Sequence, residues 1–260
     1  MAIAFTFNTV TLIGVGYWAD NCASAVDSLA RVDRDGILTN TGQLTGRAIR
    51  LQGRIVQDSE DNMRAAWAAI LAGLYDDDGG NVKAALTAFN DRQIVAQVLR
   101  QTVDFNKQTA NLHTADYTID FITDDSYWRA TSTTPKLDVT LSTGGTQTIA
   151  AADMGDAVCW PVITLSSATG LDSDIVLTNT TTGAVWTYGA NLAAGHSLVV
   201  DMELHTVTDN GTSVINNVDH PNAEWWPFRG GVENVITLAF AGGANDASLS
   251  TVYYKRYYNM

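Results

Sequence analysis

Cysteine is scarce in this chain. Cys22 and Cys159 are the only two among 260 residues, and their separation excludes the framework of bridges that holds small secreted domains together. Two reduced thiols in a protein made in a cytoplasm are expected. Basic residues are also few: 15 Lys and Arg stand against 28 Asp and Glu, a formal net charge of −13. Binding along a phosphate backbone needs clustered cations that release counterions, so the acid excess argues against a nucleic-acid binder. It also disfavours an anionic membrane surface. There is no run of ~20 apolar residues, so no transmembrane span is expected. The opening stretch, residues 1–16, is apolar but lacks a basic leader and a small-residue cleavage site, so no signal peptide is read. Catalytic motifs are missing as well. There is no G-x-S-x-G, no P-loop and no C-x-x-C, and His113, His196, His205 and His220 are scattered without paired spacing. A Ser/His/Asp set can assemble from distant positions, but nothing here raises its prior.

What is present is globular. Hydrophobic residues make up 46% and charged residues 17%, a balance unlike that of disordered chains. A chain of this length buries roughly 70–75% of its unfolded surface. The first third reads β then α. Residues 5–12 alternate as one strand, a polar stretch follows from Tyr17 to about Thr41, and residues 46–56 read as a second strand region. A helix over about 59–75 carries Met63, Ala66, Trp67, Ile70, Leu71 and Leu74 as one apolar stripe, with Asp58 or Ser59 as its cap. Asp76-Asp77-Asp78-Gly79-Gly80 stops it. Strands flank a turn at Asn90-Asp91-Arg92, and Tyr117, Ile119 and Phe121 alternate against Thr118 and Asp120.

The second half is β by pattern. Leu198, Val200, Met202 and Leu204 face one way, and Val199, Asp201, Glu203 and His205 the other. Asp209-Asn210-Gly211 supplies a tight turn. Strands at this spacing suggest a sandwich. The low-apolarity stretch 129–145, which carries Pro135, is the expected junction between domains.

Several constellations invite chemistry. Gly14-Val15-Gly16-Tyr17-Trp18-Ala19 fits the dinucleotide G-x-G-x-x-A pattern, but Asp33 and Asp35 come too early for the ribose and the surroundings are not βαβ. Asp76-Asp77-Asp78-Gly79-Gly80-Asn81 looks like a calcium loop, yet its glycine comes early and no acid follows. Asp124-Asp125 and Glu224 read as loop carboxylates rather than glycosidase acids. Trp225-Trp226-Pro227-Phe228 is the densest aromatic cluster and reads first as core packing at a sheet end. No catalytic, cofactor-binding or metal site is therefore expected.

The order of these signals resembles the distal tail (Dit) protein family of long-tailed bacteriophages. Gly46-Arg47-Ala48-Ile49-Arg50-Leu51-Gln52-Gly53 is similar to the family's G-R-x-I-x-L-x-G strand. Residues 121–128 resemble its F-x-A-x-D-P-Y-W segment, with Thr123 and Ser126 departing. Ala157 to Ile163 resembles the A-x-P-x-I start of a second domain, and Asn179-Thr180-Thr181-Thr182-Gly183 matches an N-x-T-T-G hairpin. Leu192, Gly195, Leu198 and Asp201 match an L-x-x-G-x-x-L-x-x-D stretch. Residues 226–236 resemble the closing W-x-x-L-x-P-G-x-N-x-I, with Phe228 and Gly230-Gly231 departing.

The resemblance implies a mainly β protein with one clear helix. A β-barrel or sandwich-like domain over 1–135 forms the ring, and a galectin-like β-sandwich spans 136–260. It implies a structural virion protein rather than an enzyme, synthesised in the host cytoplasm and placed at the distal end of the phage tail. There a homo-hexameric ring would join the tail tube protein to the tail-tip hub and offer a docking face for receptor-binding or side-fibre proteins. DNA would pass through its axial channel without specific binding, and there would be no cofactor and no membrane insertion. The galectin sugar signature is missing around His205, Trp225 and Trp226. A glycan-binding module for host-surface carbohydrate remains the alternative class, and a tail-tube protein of shared ancestry a third. Two further expectations concern assembly: the stretch 17–40 acts as an arm reaching a neighbouring subunit, and acids such as Asp76-Asp77-Asp78 give the channel a negative lumen that repels the duplex.

Overall fold

The chain opens with a hairpin where the alternation of residues 5–12 suggests one strand. The computed structural model describes residues 3–8, 10–21, 28–30, 37–39, 48–75, 80–88, 91–109, 112–123, 125, 127–172, 174–241 and 247–258. Strands β1 (Ile3–Phe7) and β2 (Val10–Asn21) are joined through Asn8, whose φ of 54° is one that asparagine tolerates. The turn resets the parity. Phe5 pairs with Leu12 and Phe7 with Val10, and Phe5, Phe7 and Leu12 are all fully buried.

Strand β2 also runs further than its composition suggests. Tyr17–Asn21 completes it, and its last rungs pair with the strand Ala48–Gln57 across a bulge between Gly16 and Ala19. Pairing satisfies the backbone whatever the side chains, so low apolarity does not preclude a strand there. Between them, β3 (Ser28–Ala30) and β4 (Ile37–Thr39) form a two-stranded sheet of their own; the Ala48–Gln57 strand is β5.

Two compact units make up the chain, residues 1–131 and 132–258. In the first, helix α1 (Glu60–Leu74) is capped by Ser59, whose Oγ accepts from the Asn62 N–H. Met63, Trp67, Ile70 and Leu74 are buried from the expected stripe, while Ala66 and Leu71 are half-buried. Strands β6 (Lys83–Ala88), β7 (Arg92–Thr109), β8 (Leu112–Thr123) and β9 (Trp128–Ala130) follow. Hydrogen bonding runs β7-β6-β1-β2-β5-β8 and returns to β7, antiparallel throughout. A sheet closed this way leaves no long unpaired edge. Its interior takes Ile49, Leu51 and Ile55 from β5, Ala115, Tyr117, Ile119 and Phe121 from β8, and Ile94, Ala96 and Val98 from β7. The helix lies against β2, β5 and β8, with Trp67 and Tyr117 at 5.8 Å between ring centroids.

The second unit is a two-sheet sandwich. One sheet has the order β10-β19-β12-β15-β16-β17, built from Thr134–Leu141, Ala247–Tyr253, Val162–Ser166, Ser197–Asp201, Thr206–Asp209 and Thr212–Ser213. The other runs β11-β18-β13-β14, from Thr146–Ile149, Asn234–Ala239, Ile175–Asn179 and Ala184–Tyr188. Leu165, Leu198, Val200 and Leu249 of the first sheet share one core with Leu177, Trp186, Ile236 and Leu238 of the second. The low-apolarity stretch around Pro135 is thus partly a strand. It stands at a sheet edge, the position where proline's missing donor is tolerated.

The short motifs have local reasons. Asn179 Oδ1 accepts from the N–H groups of Thr181 and Thr182, and Gly183 takes φ 81°, which closes the N-T-T-T-G turn. Asn234 is fully buried and clamps its own loop. Its amide donates to the carbonyls of Arg229 and Val232 and accepts from the Arg229 N–H. Asn210 and Gly211, at φ 45° and 81°, make the tight turn between β16 and β17.

Candidate interaction surfaces

Strands β5, β8 and β7 present a charged outer wall, because alternation sends every second residue outward. Register places Arg50 opposite Asp120, and Asp120 opposite Arg100. Arg50 grips the carboxylate with two hydrogen bonds of 2.6 and 3.1 Å, and Arg100 adds two of 2.9 and 3.2 Å. Two rungs on, Arg54 holds Asp116 in the same forked way. A bulge between Val98 and Arg100 ejects Leu99, which is 64% exposed. Beside it opens a cleft of about 590 Å³ between Ala48, Arg50, Leu99, Arg100 and Asp120. Ile122, the next outward residue on β8, is also exposed.

Hydrogen bonds from Arg50, then from Arg100, hold the Asp120 carboxyl below the ordinary carboxylate range. A depressed folded pKa contributes stability that is complete above the unfolded value of about 3.9 and is lost as the pH falls through the folded value. Asp120→Asn should therefore flatten the acid limb of the first unit's urea midpoint below about pH 4, relative to the parent chain. Parallel profiles for the two proteins would show that the clamp does not couple to folding.

On the second unit the surface is aromatic. Strand β15 ends at Asp201, whose Oδ1 accepts from the N–H groups of Glu203 and Leu204. That turn corrects the expected alternation: Met202 is buried, but Leu204 is turned out and is 70% exposed. His205 follows at φ 54° and stacks on Trp225 at 4.9 Å, with Trp160 edge-on at 6.4 Å. Glu203 is paired with Arg256. Trp226 and Phe228 are core residues, and Trp225 is half-buried with Trp186 against it.

The other singled-out residues are not brought together. Gly14 to Ala19 lie within β2, a strand, so no helix N-terminus stands where a pyrophosphate would need one. His113 sits in β8, His196 meets Asp209 at 2.8 Å, and His220 is an exposed turn residue. Asp125 accepts from the Tyr127 N–H, and the backbone of Glu224 donates to Val185 beside β14. Cys159 is buried, and burial pushes its thiol up to about 12. Cys22, Asp33, Asp35, Asp76-Asp77-Asp78 and Asp124 lie outside the described residues. Among the described residues no three His, Cys, Asp or Glu are grouped to hold a metal ion, and no helix is long and apolar enough to cross a membrane.

Residues 154–258 match the family described as siphovirus-type tail component, C-terminal domain. The crystal structure of the Dit (gp 19.1) protein of phage SPP1, presented as a paradigm of the hub adsorption apparatus in phages infecting Gram-positive bacteria, superposes with a TM-score of 0.65 over 98% of both chains at 12% identity. The second unit carries a siphovirus-type tail component domain. The family match covers most of the second unit; across the first unit it is the fold that is shared. Chains in the phage P2 baseplate, in its activated conformation with Ca, align over 98% of this chain and 92% of theirs, at 8% identity and a TM-score of only 0.37. Comparison with curated protein sequences gives no match.

Proposed function

We propose that this chain is a distal tail protein, which assembles as a homo-hexameric ring at the end of the phage tail, joins the tail tube protein to the tail-tip hub, and leaves an axial channel for DNA. The match of the second unit to the tail component family carries this reading, and the fold shared with the SPP1 protein along the whole chain supports it. The division of labour follows the two units: residues 1–135 form the ring, and residues 136–260 offer a docking face for hub, receptor-binding or side-fibre proteins. The acid excess suits a channel that lets a duplex slide, since phosphates find few cations to hold them. The protein does no chemistry of its own, is made in the host cytoplasm and acts in the virion.

Electron micrographs of the purified chain should show rings with one number of subunits, and native mass spectrometry should count six. A protein that stays monomeric at high concentration would overturn the ring. The same material on a glycan array reads the alternative. No binding is expected, because His205 already covers one face of Trp225 and Trp226 is buried; clear, competable binding would favour a carbohydrate-binding role.

A further inference from the structure

Strand register sorts the charges of the outer wall into rows across β5, β8 and β7. One row is Arg50, Asp120 and Arg100, with two cations around one carboxylate. The next outward row, Gln52, Thr118 and Thr102, carries no charge. The row beyond it is Arg54, Asp116 and Asp104, with the balance reversed. A cation excess is thus confined to the first row, in a chain whose formal net charge is −13. That row is also where the wall opens into its cleft, beside Leu99. Arg50 and Arg100 each spend Nε and Nη2 on Asp120. A guanidinium has more donors than that, so each keeps N–H groups uncommitted among the described residues, and both side chains stay exposed. Leu99 stands beside them, and Ile122 is exposed on the rung of Ala48.

We infer that the Arg50–Leu99–Arg100 cleft binds a short acidic segment of a partner protein, one that sets a carboxylate on the two guanidiniums and an aliphatic side chain on Leu99. Asp120 offsets only one of the two cations, so the row attracts a further anion. The same carboxylate holds both guanidinium planes in place beforehand, so little side-chain freedom is lost when a partner arrives. Guanidiniums meet carboxylates through paired donors, which supplies direction as well as energy. A nucleic acid suits the wall less. A duplex presents its phosphates in series, whereas the rows after the first offer no charge and then a net negative one. Leu99 adds apolar area that an aliphatic side chain covers and a phosphate does not. The inference goes beyond the ring reading and does not depend on it.

The test is an array of short synthetic peptides in which Asp or Glu alternates with Leu, Ile or Val, probed with the full chain at low salt. Matched arrays carry Asn and Gln, or Lys, in place of the acids. Retention on the acidic array alone is expected, weakening as salt is raised. For a retained peptide, fluorescence anisotropy should give an affinity about tenfold lower for Arg100→Gln and for Arg50→Gln, the usual size of losing a charged hydrogen-bond donor. Leu99→Ser should weaken it too, and Arg54→Gln, on the reversed row, should leave it unchanged. All four changes are at exposed positions, and circular dichroism should show each variant folded. No retention on the acidic array, or equal retention on the Asn and Gln array, would overturn the proposal. So would an unchanged affinity in both Arg100→Gln and Arg50→Gln. A DNA duplex that displaces the peptide would overturn it in favour of phosphate binding. Loss of self-association in Arg100→Gln would overturn it by making the occupant a second copy; assembly equal to the parent's is expected. Whether the parent forms rings is read separately by electron microscopy, and a chain without rings fails the ring reading and leaves the peptide result standing.

Discussion

Trp186→Ala should lower the stability of the second unit by about 3–5 kcal/mol, the usual cost of truncating a buried aromatic, and leave the first unit unchanged. Trp186 is fully buried on β14, stacked on Tyr188 at 6.3 Å with an interplanar angle of 7°, and edge-on to Trp225 at 6.2 Å. Its indole N–H has no partner among the described residues, so truncation removes no hydrogen bond. The loss comes from apolar area and from a cavity between two sheets that cannot close over it. Against a total of about 5–15 kcal/mol for a domain, that is a large share. Hydrogen exchange read peptide by peptide should show protection falling across residues 132–258 and holding in the barrel strands. Equal loss in both would mean that the two units fold as one, against the domain division proposed here.

The elements that were legible in the sequence are those whose residues answer one question, core or solvent. Strand β5 buries Ile49, Leu51 and Ile55 and exposes Arg50, Gln52 and Arg54 without interruption, so a period of two is enough to find it. Helix α1 announces itself by Ser59 and its stripe. The turns at Asn179–Gly183 and Asn210–Gly211 are written in residues that accept left-handed backbone.

What stayed hidden depends on partners distant in the chain. Asn8 splits one apparent strand in two, and only the pairing of Phe5 with Leu12 reveals it. The extra residue at Leu99 has no signature in Val98-Leu99-Arg100; the bulge exists because β8 pairs on both sides of it. Leu204 keeps the right parity for the core, and the carboxylate of Asp201 overrides that parity by turning the chain. The clamp on Asp120 could not be anticipated either. It joins Arg50 to an aspartate 70 residues away, a meeting set by strand register alone. Family resemblance came from the order of weak motifs, and the structure gives several of them mechanical reasons, Asn234 and Asn179 among them.

Gly53→Ala is expected to destabilise the first unit by about 1–3 kcal/mol, the range for overfilling a packed core, and Gly53→Val by more. Gly53 lies directly opposite Tyr117 on the β5–β8 pair, and the tyrosine ring occupies the space a side chain would take. A Cβ there would stand 2.3 Å from both Cζ and Oη of Tyr117. The ring cannot swing aside cheaply, because it is 2% exposed and has Trp67 of the helix on it. Displacing Tyr117 therefore displaces α1, and the strain reaches the helix–barrel contact rather than ending at one rotamer.

The hydroxyl itself is dispensable. It has no hydrogen-bond partner among the described residues, and burial pushes its pKa up to about 12, so it stays neutral. Tyr117→Phe should be neutral or slightly stabilising, since an unpaired buried hydroxyl costs free energy. It should not rescue Gly53→Ala, because Cζ remains in the way. Tyr117→Leu should rescue it. That change carries its own packing loss, but the double variant is expected to be more stable than the sum of the single changes by roughly 1 kcal/mol or more, the coupling of residues in contact. Additive effects in the four-protein cycle, measured by urea unfolding, would mean that Gly53 is required by its backbone rather than by the ring across from it.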